Sequence, residues 1–204
     1  MRRAVFGGSF DPVHNGHVNL VKQVSGRTGL DEVMIMPTCI SPFKQNIERI
    51  PASGKHRLEM CRLAFEDVQY VTVSDYEISQ PEVSYTVNTV RHIREQYPND
   101  ELFLIIGSDM LLSFHKWRNF EEILSVCGLI AASRENGQRD MAELEKQAET
   151  LGKYGSVTVV PIDAFEVSST EIRKKIKNSS DISCYVPQNV VKYILEHNLY
   201  KAEP

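Results

Sequence analysis

Short apolar runs alternate along the chain with longer segments in which apolar residues recur every three or four positions. The short runs predict buried strands, and the longer segments predict amphipathic helices. The predicted strands are Ala4–Phe6, Val33–Met36, Val71–Ser74, Leu102–Ile106, Gly128–Ala132 and Val157–Val160. The predicted helices span residues 17–25, 55–66, 85–97, 117–126, 140–151, 169–177 and 187–197.

This regular alternation favours one architecture. Strands that are joined through helices pair in parallel, and the helices then cover both faces of the sheet. We therefore expect an α/β fold, Rossmann-like and doubly wound, with a mainly parallel sheet flanked by helices. The length of 204 residues and the 42% hydrophobic content suit a single domain over residues 1–204. The segments expected to be loosest are Ser41–Gly54 and Glu135–Asp140.

Composition narrows the classes of function. The net charge of −4 argues against a nucleic-acid-binding protein, which usually carries a basic face. The first apolar run ends at Gly7, too early for a signal peptide, and no segment is long enough to cross a bilayer. No C-x-x-C pair of a zinc finger or redox motif is formed by the cysteines, which are Cys39, Cys61, Cys127 and Cys184. We expect a cytoplasmic protein with reduced thiols and with neither nucleic acid nor membrane as a partner.

The most informative motif is G-G-S-F-D-P-V-H-N-G-H, residues 7–17, which follows the first predicted strand and opens the first helix. Gly7 and Gly8 carry no Cβ, so the backbone there can approach a phosphate closely. The first N–H groups of a helix lack intrahelical partners, and the helix dipole favours an anion beside them. His14 and His17, three positions apart, add two imidazole donors, with Gly16 between them keeping the surface open. The motif predicts a phosphate site.

A metal site is the alternative interpretation of these residues, because Asp11, His14 and His17 form a D-x-x-H-x-x-H set. A metal site would not need the glycine pair or the strand before it, which favours the phosphate. The dinucleotide fingerprint G-x-G-x-x-G is absent, so an oxidoreductase has little support.

A second anion site is predicted at V-S-S-T-E-I-R-K-K-I, residues 167–176. Ser168 and Glu171 have the spacing of a capping box, which indicates a helix start. The same start places hydroxyl groups, backbone N–H groups and the guanidinium of Arg173 together, and a forked guanidinium suits phosphate.

Two further segments lie at boundaries of predicted elements. S-Y-T-V-N-T, residues 84–89, opens the third predicted helix, and G-S-D-M-L, residues 107–111, follows the fourth strand. In doubly wound sheets ligands bind beyond the carboxyl ends of the strands, where this second segment and the first motif both fall. Trp117 offers a platform for an aromatic ring, although a single tryptophan is equally consistent with the core.

The H-x-G-H motif preceded by G-G-S-F-D-P, with S-S-T-x-I-R later in the chain, resembles the nucleotidyltransferase superfamily. Within it the chain is most similar to the bacterial nicotinate-nucleotide adenylyltransferases, and the resemblance covers nearly the whole chain. It implies that nicotinate mononucleotide and ATP are converted to nicotinate adenine dinucleotide and pyrophosphate in NAD biosynthesis. It further implies Mg²⁺ carried by the ATP phosphates and no metal held by the protein alone.

The resemblance also implies roles for individual residues. The catalytic set comprises His14, His17, Lys44 and Arg173. ATP binding involves Gly7, Gly8, Ser9, Phe10, Gly16, Asp109, Ser168, Ser169 and Thr170. Binding of the mononucleotide involves Thr86, Gly107, Trp117 and Arg134.

The chain departs from the family pattern in three places. Phe43 replaces the usual histidine before Lys44, Asn88 replaces an aspartate, and residues 135–137 replace a proline-glycine turn. Alternative functions are the same chemistry on nicotinamide mononucleotide, another phosphate acceptor of the phosphopantetheine type, or a non-catalytic nucleotide sensor. The sequence leaves the oligomeric state open, with a homo-oligomer among the options.

Overall fold

The structure, a computed structural model of the chain, describes residues 1–39, 52–80, 83–134, 138–163 and 165–201, without the side chains of 134 and 138–140. Six strands lie in this part of the chain. They are β1 (Arg2–Gly8), β2 (Glu32–Pro37), β3 (Val71–Val73), β4 (Glu101–Gly107), β5 (Gly128–Arg134) and β6 (Val157–Ile162).

The strands form one sheet in the order β3-β2-β1-β4-β5-β6, and every described pair is parallel. The register aligns Phe6 of β1 with Ile35 of β2 on one side and with Ile105 of β4 on the other. Strand order reverses between β1 and β4, and this reversal opens a crevice at the carboxyl ends of these two strands. The predicted Rossmann-like, doubly wound sheet is confirmed.

Eight helices in the described residues cover the sheet. They are α1 (Asn15–Thr28), α2 (Gly54–Phe65), α3 (Thr86–Gln96), α4 (Ser108–Ser113), α5 (Phe120–Val126), α6 (Gln138–Leu151), α7 (Ser169–Lys177) and α8 (Gln188–Glu196). Alternate strand residues face opposite sides, so two cores form. One holds Phe6, Ile35 and Ile105 with α1, α2, α7 and α8; the other holds Val5, Met36 and Leu104 with α3, α4, α5 and α6.

The sequence misplaced one helix. Residues 117–126 were expected to be helical, but α5 begins at Phe120, because Asn119 before it has the left-handed φ of 55°. Trp117 instead ends a 3₁₀ turn (Phe114–Lys116) that follows α4, a helix that the sequence analysis did not predict. With six residues, α4 is too short for apolar periodicity to reveal it.

Three further expectations concern the loose segments, the cysteines and membrane-spanning helices. Residues 41–51 of the segment Ser41–Gly54 lie outside the described residues, as do residues 135–137 of the segment Glu135–Asp140. All four cysteines are free thiols, and the Cys61 and Cys127 side chains are buried. Among the helices of the described residues, none has the length and apolar character needed to span a membrane.

Candidate active site

The loop between β1 and α1 (residues 9–14) lies at the crevice and is held in place mainly through its carbonyl groups. The buried Arg57 of α2 donates from Nη1 to the Ser9 carbonyl at 2.8 Å. Arg173 of α7 donates from Nη1 to the Asp11 carbonyl at 2.6 Å, and the Ser169 hydroxyl donates to the Pro12 carbonyl at 2.9 Å. The loop shape therefore depends on two helices distant in sequence.

The two anion motifs found in the sequence are thus one assembly. Ser168 caps α7: its Oγ accepts from the Glu171 backbone N–H at 3.2 Å, and Glu171 Oε2 accepts from the Ser168 backbone N–H at 2.9 Å. This is the predicted capping box. Arg173 also donates from Nη2 to Thr170 Oγ1 at 3.1 Å. The Ser168 N–H and hydroxyl are thus engaged with Glu171, and the Ser169 hydroxyl is engaged with the Pro12 carbonyl. What α7 presents to an incoming anion is mainly the backbone N–H groups of its own first turn, which lack intrahelical partners.

Asp11 fixes the loop from a third direction. Its Oδ1 accepts from the Tyr200 hydroxyl at 2.8 Å and from the Ala52 backbone N–H at 3.2 Å. A metal site, the alternative interpretation of this motif, would need this carboxylate together with His14 and His17. The described residues contain no group of three or more histidine, cysteine or acidic side chains that could hold a metal ion. Asp11 acts as a structural acceptor within the loop.

The two histidines form a stacked pair at the start of α1. Their ring centroids are 3.7 Å apart with an interplanar angle of 23°. The His14 backbone N–H donates to Nδ1 of His17 at 3.2 Å, so neutral His17 carries its proton on Nε2. Phe10 packs edge-on against His17 with centroids 5.0 Å apart. The loop thus fixes both the tautomer and the orientation of His17.

His14 is 7% exposed, and its Nδ1 is buried without a hydrogen-bond partner among the described residues. Burial lowers the pKa of His14 to about 4, and the negative charge of Glu171 opposes this shift only in part. His14 is therefore neutral near pH 7 in the ligand-free protein. The charged state expected beside a phosphate requires that the phosphate be present.

The three glycines of the first motif lack a side chain for different physical reasons. A Cβ at Gly7 would meet only the Met36 carbonyl oxygen, at 4.0 Å, so the backbone there is open to close approach. A Cβ at Gly8 would lie 2.9 Å from the Phe10 ring. A Cβ at Gly16 would lie 3.0 Å from Nδ1 of His14. The sequence analysis expected Gly16 to keep the surface open. Its missing side chain instead leaves room for the His14 ring to pack against α1.

A cavity of about 440 Å³ adjoins this loop. It brings together residues that the sequence assigned to different ligands, namely Gly7, Gly8, Ser9, Thr86, Gly107 and Trp117. Its floor is formed by strand residues of β1 and β4, and its rim includes Lys116 and Arg118. We call it the acceptor cavity. Its volume falls within the range of small-molecule sites.

Trp117 lines the acceptor cavity and packs against Phe114, with ring centroids 4.9 Å apart and an interplanar angle of 35°. The tryptophan therefore forms part of the cavity wall and also packs against its neighbour. The sequence had left both a platform and a core position open for it. Arg118 lies over the Tyr85 ring at 4.6 Å and closes the same side.

Not every predicted site residue is brought into the cavity. Lys44 lies outside the described residues, and of Arg134 only the backbone, at the end of β5, is described. Phe10 is 2% exposed and could reach a ligand only through its backbone. Asp109 is exposed in the first turn of α4. Its Oδ1 atom lies 2.8 Å from the position that a Cβ on Gly107 would occupy.

Three residues of this region carry no motif in the sequence. Arg57 is 3% exposed and also donates to the carbonyls of Ala52 and Cys39. Tyr200 had no motif to mark it. Glu77, 6% exposed, lines the acceptor cavity. The available signal for Arg57 was its position beside Leu58, next to the buried face.

This arrangement can bind a polyphosphate and a second ligand side by side. Helix starts, histidines and Arg173 provide donors at the loop, and the adjoining cavity combines apolar walls with an aromatic platform. Such a site suits transfer between an anionic nucleotide and a flat-ringed partner.

Comparisons with known proteins agree with this geometry. The sequence profile of the cytidylyltransferase-like family matches residues 5–175. Two relatives from Clostridium botulinum are named probable nicotinate-nucleotide adenylyltransferase. The one from strain Loch Maree is 35% identical over 202 residues, covering 98% of this chain and all of the relative; the one from strain Alaska E43 is 37% identical over 205 residues, covering 99% of each.

Solved structures share the fold at lower sequence identity. Plasmodium falciparum nicotinic acid mononucleotide adenylyltransferase complexed with NaAD superimposes with a TM-score of 0.77 at 21% identity, covering 98% of this chain and 97% of that one. A putative nicotinate-nucleotide adenylyltransferase from Vibrio parahaemolyticus gives a TM-score of 0.66 at 22% identity, covering 98% and 96%.

Burial of His14 predicts an acid-dependent loss of stability. The unfolded chain binds a proton near pH 6.5, whereas the folded chain does so only near pH 4. The stabilising contribution of His14 is therefore complete above pH 6.5 and is lost as the pH falls toward 4, by about 3 kcal/mol at most. Urea unfolding across this interval should show a steeper fall for wild type than for His14→Gln. The exposed His115→Gln variant is the control and should follow wild type; a His14→Gln curve parallel to wild type would contradict the prediction.

Proposed function

Because this chain belongs to the cytidylyltransferase-like family, and within it to the nicotinate-nucleotide adenylyltransferases, we propose that its crevice transfers an adenylyl group from ATP to nicotinate mononucleotide. The products are nicotinate adenine dinucleotide and pyrophosphate, in a step of NAD biosynthesis. The observation that carries the proposal is the junction of the His14–His17 loop with a ring-sized cavity walled by Trp117.

The reaction forms one phosphorus–oxygen bond and breaks another. A phosphate oxygen of the mononucleotide attacks the α-phosphorus of ATP, and the bond from that phosphorus to the bridging oxygen of pyrophosphate breaks. Negative charge is spread over the phosphate oxygens in the transition state. The protein therefore acts chiefly by positioning both substrates and by directing fixed donors at those oxygens.

His17 is the donor we place beside the α-phosphate. Its Nδ1 accepts the His14 backbone N–H, so Nε2–H is the group it can direct at an oxyanion. His14 stacks on it and is neutral without ligand, and a bound phosphate favours its charged form. Arg173 and the start of α7 take the β- and γ-phosphates, with Lys44 assigned to the same phosphates by its place in the sequence motif.

The mononucleotide occupies the acceptor cavity in this proposal. Its ring stacks on Trp117, and its carboxylate meets backbone N–H groups at the start of α3, beside Thr86. Gly107 lines the same cavity, where the absence of a side chain admits the ligand. Asp109, in the first turn of α4, holds the ribose of ATP. Arg134, at the end of β5, takes part in binding from the neighbouring strand.

A divalent cation, Mg²⁺ in our proposal, arrives with the triphosphate as part of the substrate. The residues at the loop are hydrogen-bond donors, and no acidic cluster of the described chain could hold the ion instead. Magnesium commonly binds through substrate phosphates and keeps several waters, so this donor set fits a magnesium–ATP complex. The ion neutralises phosphate charge. We place the enzyme in the cytoplasm, where its four free thiols would remain reduced.

Pyrophosphate release tests the function directly. The protein is incubated with ATP and Mg²⁺, and nicotinate mononucleotide and nicotinamide mononucleotide are offered separately. We expect rapid release with the acid and slower release with the amide. Turnover with phosphopantetheine alone would assign a different acceptor, and ATP binding without turnover of any acceptor would indicate a sensor.

His17→Ala should lower kcat by about 100-fold or more while changing the dissociation constant for ATP much less, because its donor acts mainly in the transition state. Steady-state kinetics and equilibrium binding of ATP separate the two quantities. His115→Ala, an exposed histidine outside the site, is the matched control. A His17→Ala enzyme with normal kcat and a raised KM alone would refute the assigned role.

Trp117→Ala should weaken binding of the mononucleotide by about 1–3 kcal/mol, the range found for bases stacked on aromatic side chains. Trp117→Phe keeps an aromatic face and should recover most of this loss. KM and binding constants for the mononucleotide are compared with those for ATP. Equal losses for both substrates would mean that Trp117 serves only the packing against Phe114.

A further inference from the structure

One buried acidic side chain of the acceptor cavity has no role in the mechanism above. Glu77 lies between β3 and α3 and is only 6% exposed. It lines the acceptor cavity, and it also lines a second cavity of about 250 Å³ that adjoins it. Its carboxyl group therefore stands in the wall beside the segment Ser84–Thr86, where the proposed substrate places its ring carboxylate.

The hydrogen bonds of Glu77 leave its two oxygens in different states. Oε1 accepts from the Thr89 hydroxyl of α3 at 2.5 Å. The Ser84 hydroxyl lowers the pKa of the same carboxyl group, and Ser84 Oγ accepts from the Cys39 backbone N–H at 3.1 Å. Oε2 is buried and has no hydrogen-bond partner among the described residues. A buried oxygen without a partner costs much more free energy in a charged carboxylate than in a neutral carboxylic acid, because the desolvation penalty of the charged form is far larger.

No ion pair to Glu77 is found in the described part of the chain to compensate a negative charge. The ionisable or charged groups that line the two cavities with it are Tyr76, Tyr85, Lys116 and Arg118, and His92 is stacked on Tyr76 at 3.7 Å. The two cations are exposed at the rim, where water screens their charge. Burial raises the pKa of Glu77, and the hydroxyl donors of Thr89 and Ser84 offset this only in part.

Building on the proposed function, we propose that Glu77 determines specificity at the acceptor cavity: it is uncharged when the mononucleotide is bound, and this allows a ring with a carboxylate to enter. An ionised Glu77 would put a second carboxylate in the same poorly solvated cavity, and two like charges there disfavour each other. The amide ring carries no charge and meets no such repulsion. Binding of the acid therefore requires a proton on Glu77, whereas binding of the amide does not.

The test is the ratio of kcat/KM for the acid to kcat/KM for the amide, measured from about pH 6 to pH 9. Both mononucleotides share the phosphate group and the same protein histidines, so these titrations cancel in the ratio. In wild type the ratio should fall as Glu77 ionises, approaching tenfold per pH unit. The reason is that the complex with nicotinate mononucleotide needs a proton on Glu77, whereas the complex with nicotinamide mononucleotide does not. In Glu77→Gln, which has no charge to lose and similar size, the ratio should stay constant.

Thr89→Val provides a second, independent measurement in an isosteric variant. Loss of the hydroxyl donor destabilises the ionised carboxyl group, so the fall in the ratio should move to higher pH. Glu95→Gln, an exposed acid on the same helix, is the matched control and should reproduce the wild-type profile. The shift in Thr89→Val reports on Glu77 even if Glu77→Gln folds poorly.

The possible failures are distinguishable. If neither mononucleotide is adenylylated by wild type, the proposed function fails, whatever Glu77 does. If both are adenylylated and the wild-type ratio is independent of pH, or falls equally in Glu77→Gln, Glu77 does not set the specificity. A flat Glu77→Gln profile together with a shifted Thr89→Val profile is the result that supports it.

Discussion

The constraint on which this site depends is the parallel pairing of β1 between β2 and β4. Because the chain leaves β1 toward one side of the sheet and leaves β4 toward the other, the two strand ends diverge and a crevice opens between them. The histidine loop extends from β1, and the cavity wall with Gly107 extends from β4. The pairing of β1 with β4 thus places the histidine loop and the cavity wall beside each other.

Carbonyl groups, rather than acidic side chains, hold the main cations of the site. Arg57 and Arg173 both donate to backbone oxygens of the β1–α1 loop, and Nη1 of Arg173 also lies 3.9 Å from the Asp11 carboxylate. Carbonyls fix the geometry of a guanidinium while neutralising little of its charge. Combined with helix starts and with a histidine that is neutral until anions arrive, this leaves the crevice attractive to a triphosphate.

Much of this arrangement could be predicted from local sequence, and the rest depends on contacts between distant residues. The strands followed from apolar runs, and the loop and α7 followed from motifs whose residues are neighbours in the chain. Arg57 could not be placed, because its burial comes from carbonyls contributed by residues 9, 39 and 52. The role of Gly16 could not be predicted for a similar reason. The His14 ring would collide with a Cβ on Gly16, and the position of that ring is set by packing. Glu77 had no motif, since its importance arises from the cavity it faces.

Tyr200 joins the last described part of the chain to Asp11, 189 positions earlier, and Arg173 reaches the same residue across 162 positions. Protein synthesis proceeds from the N-terminus, so the histidine loop is made long before two of its supports, Arg173 and Tyr200. A nascent chain can form the early strands, yet its loop lacks these two anchors until Tyr200 has left the ribosome. The fully anchored form of the loop is therefore reached only after residue 200 has been made, and nucleotide binding would report that stage rather than early folding.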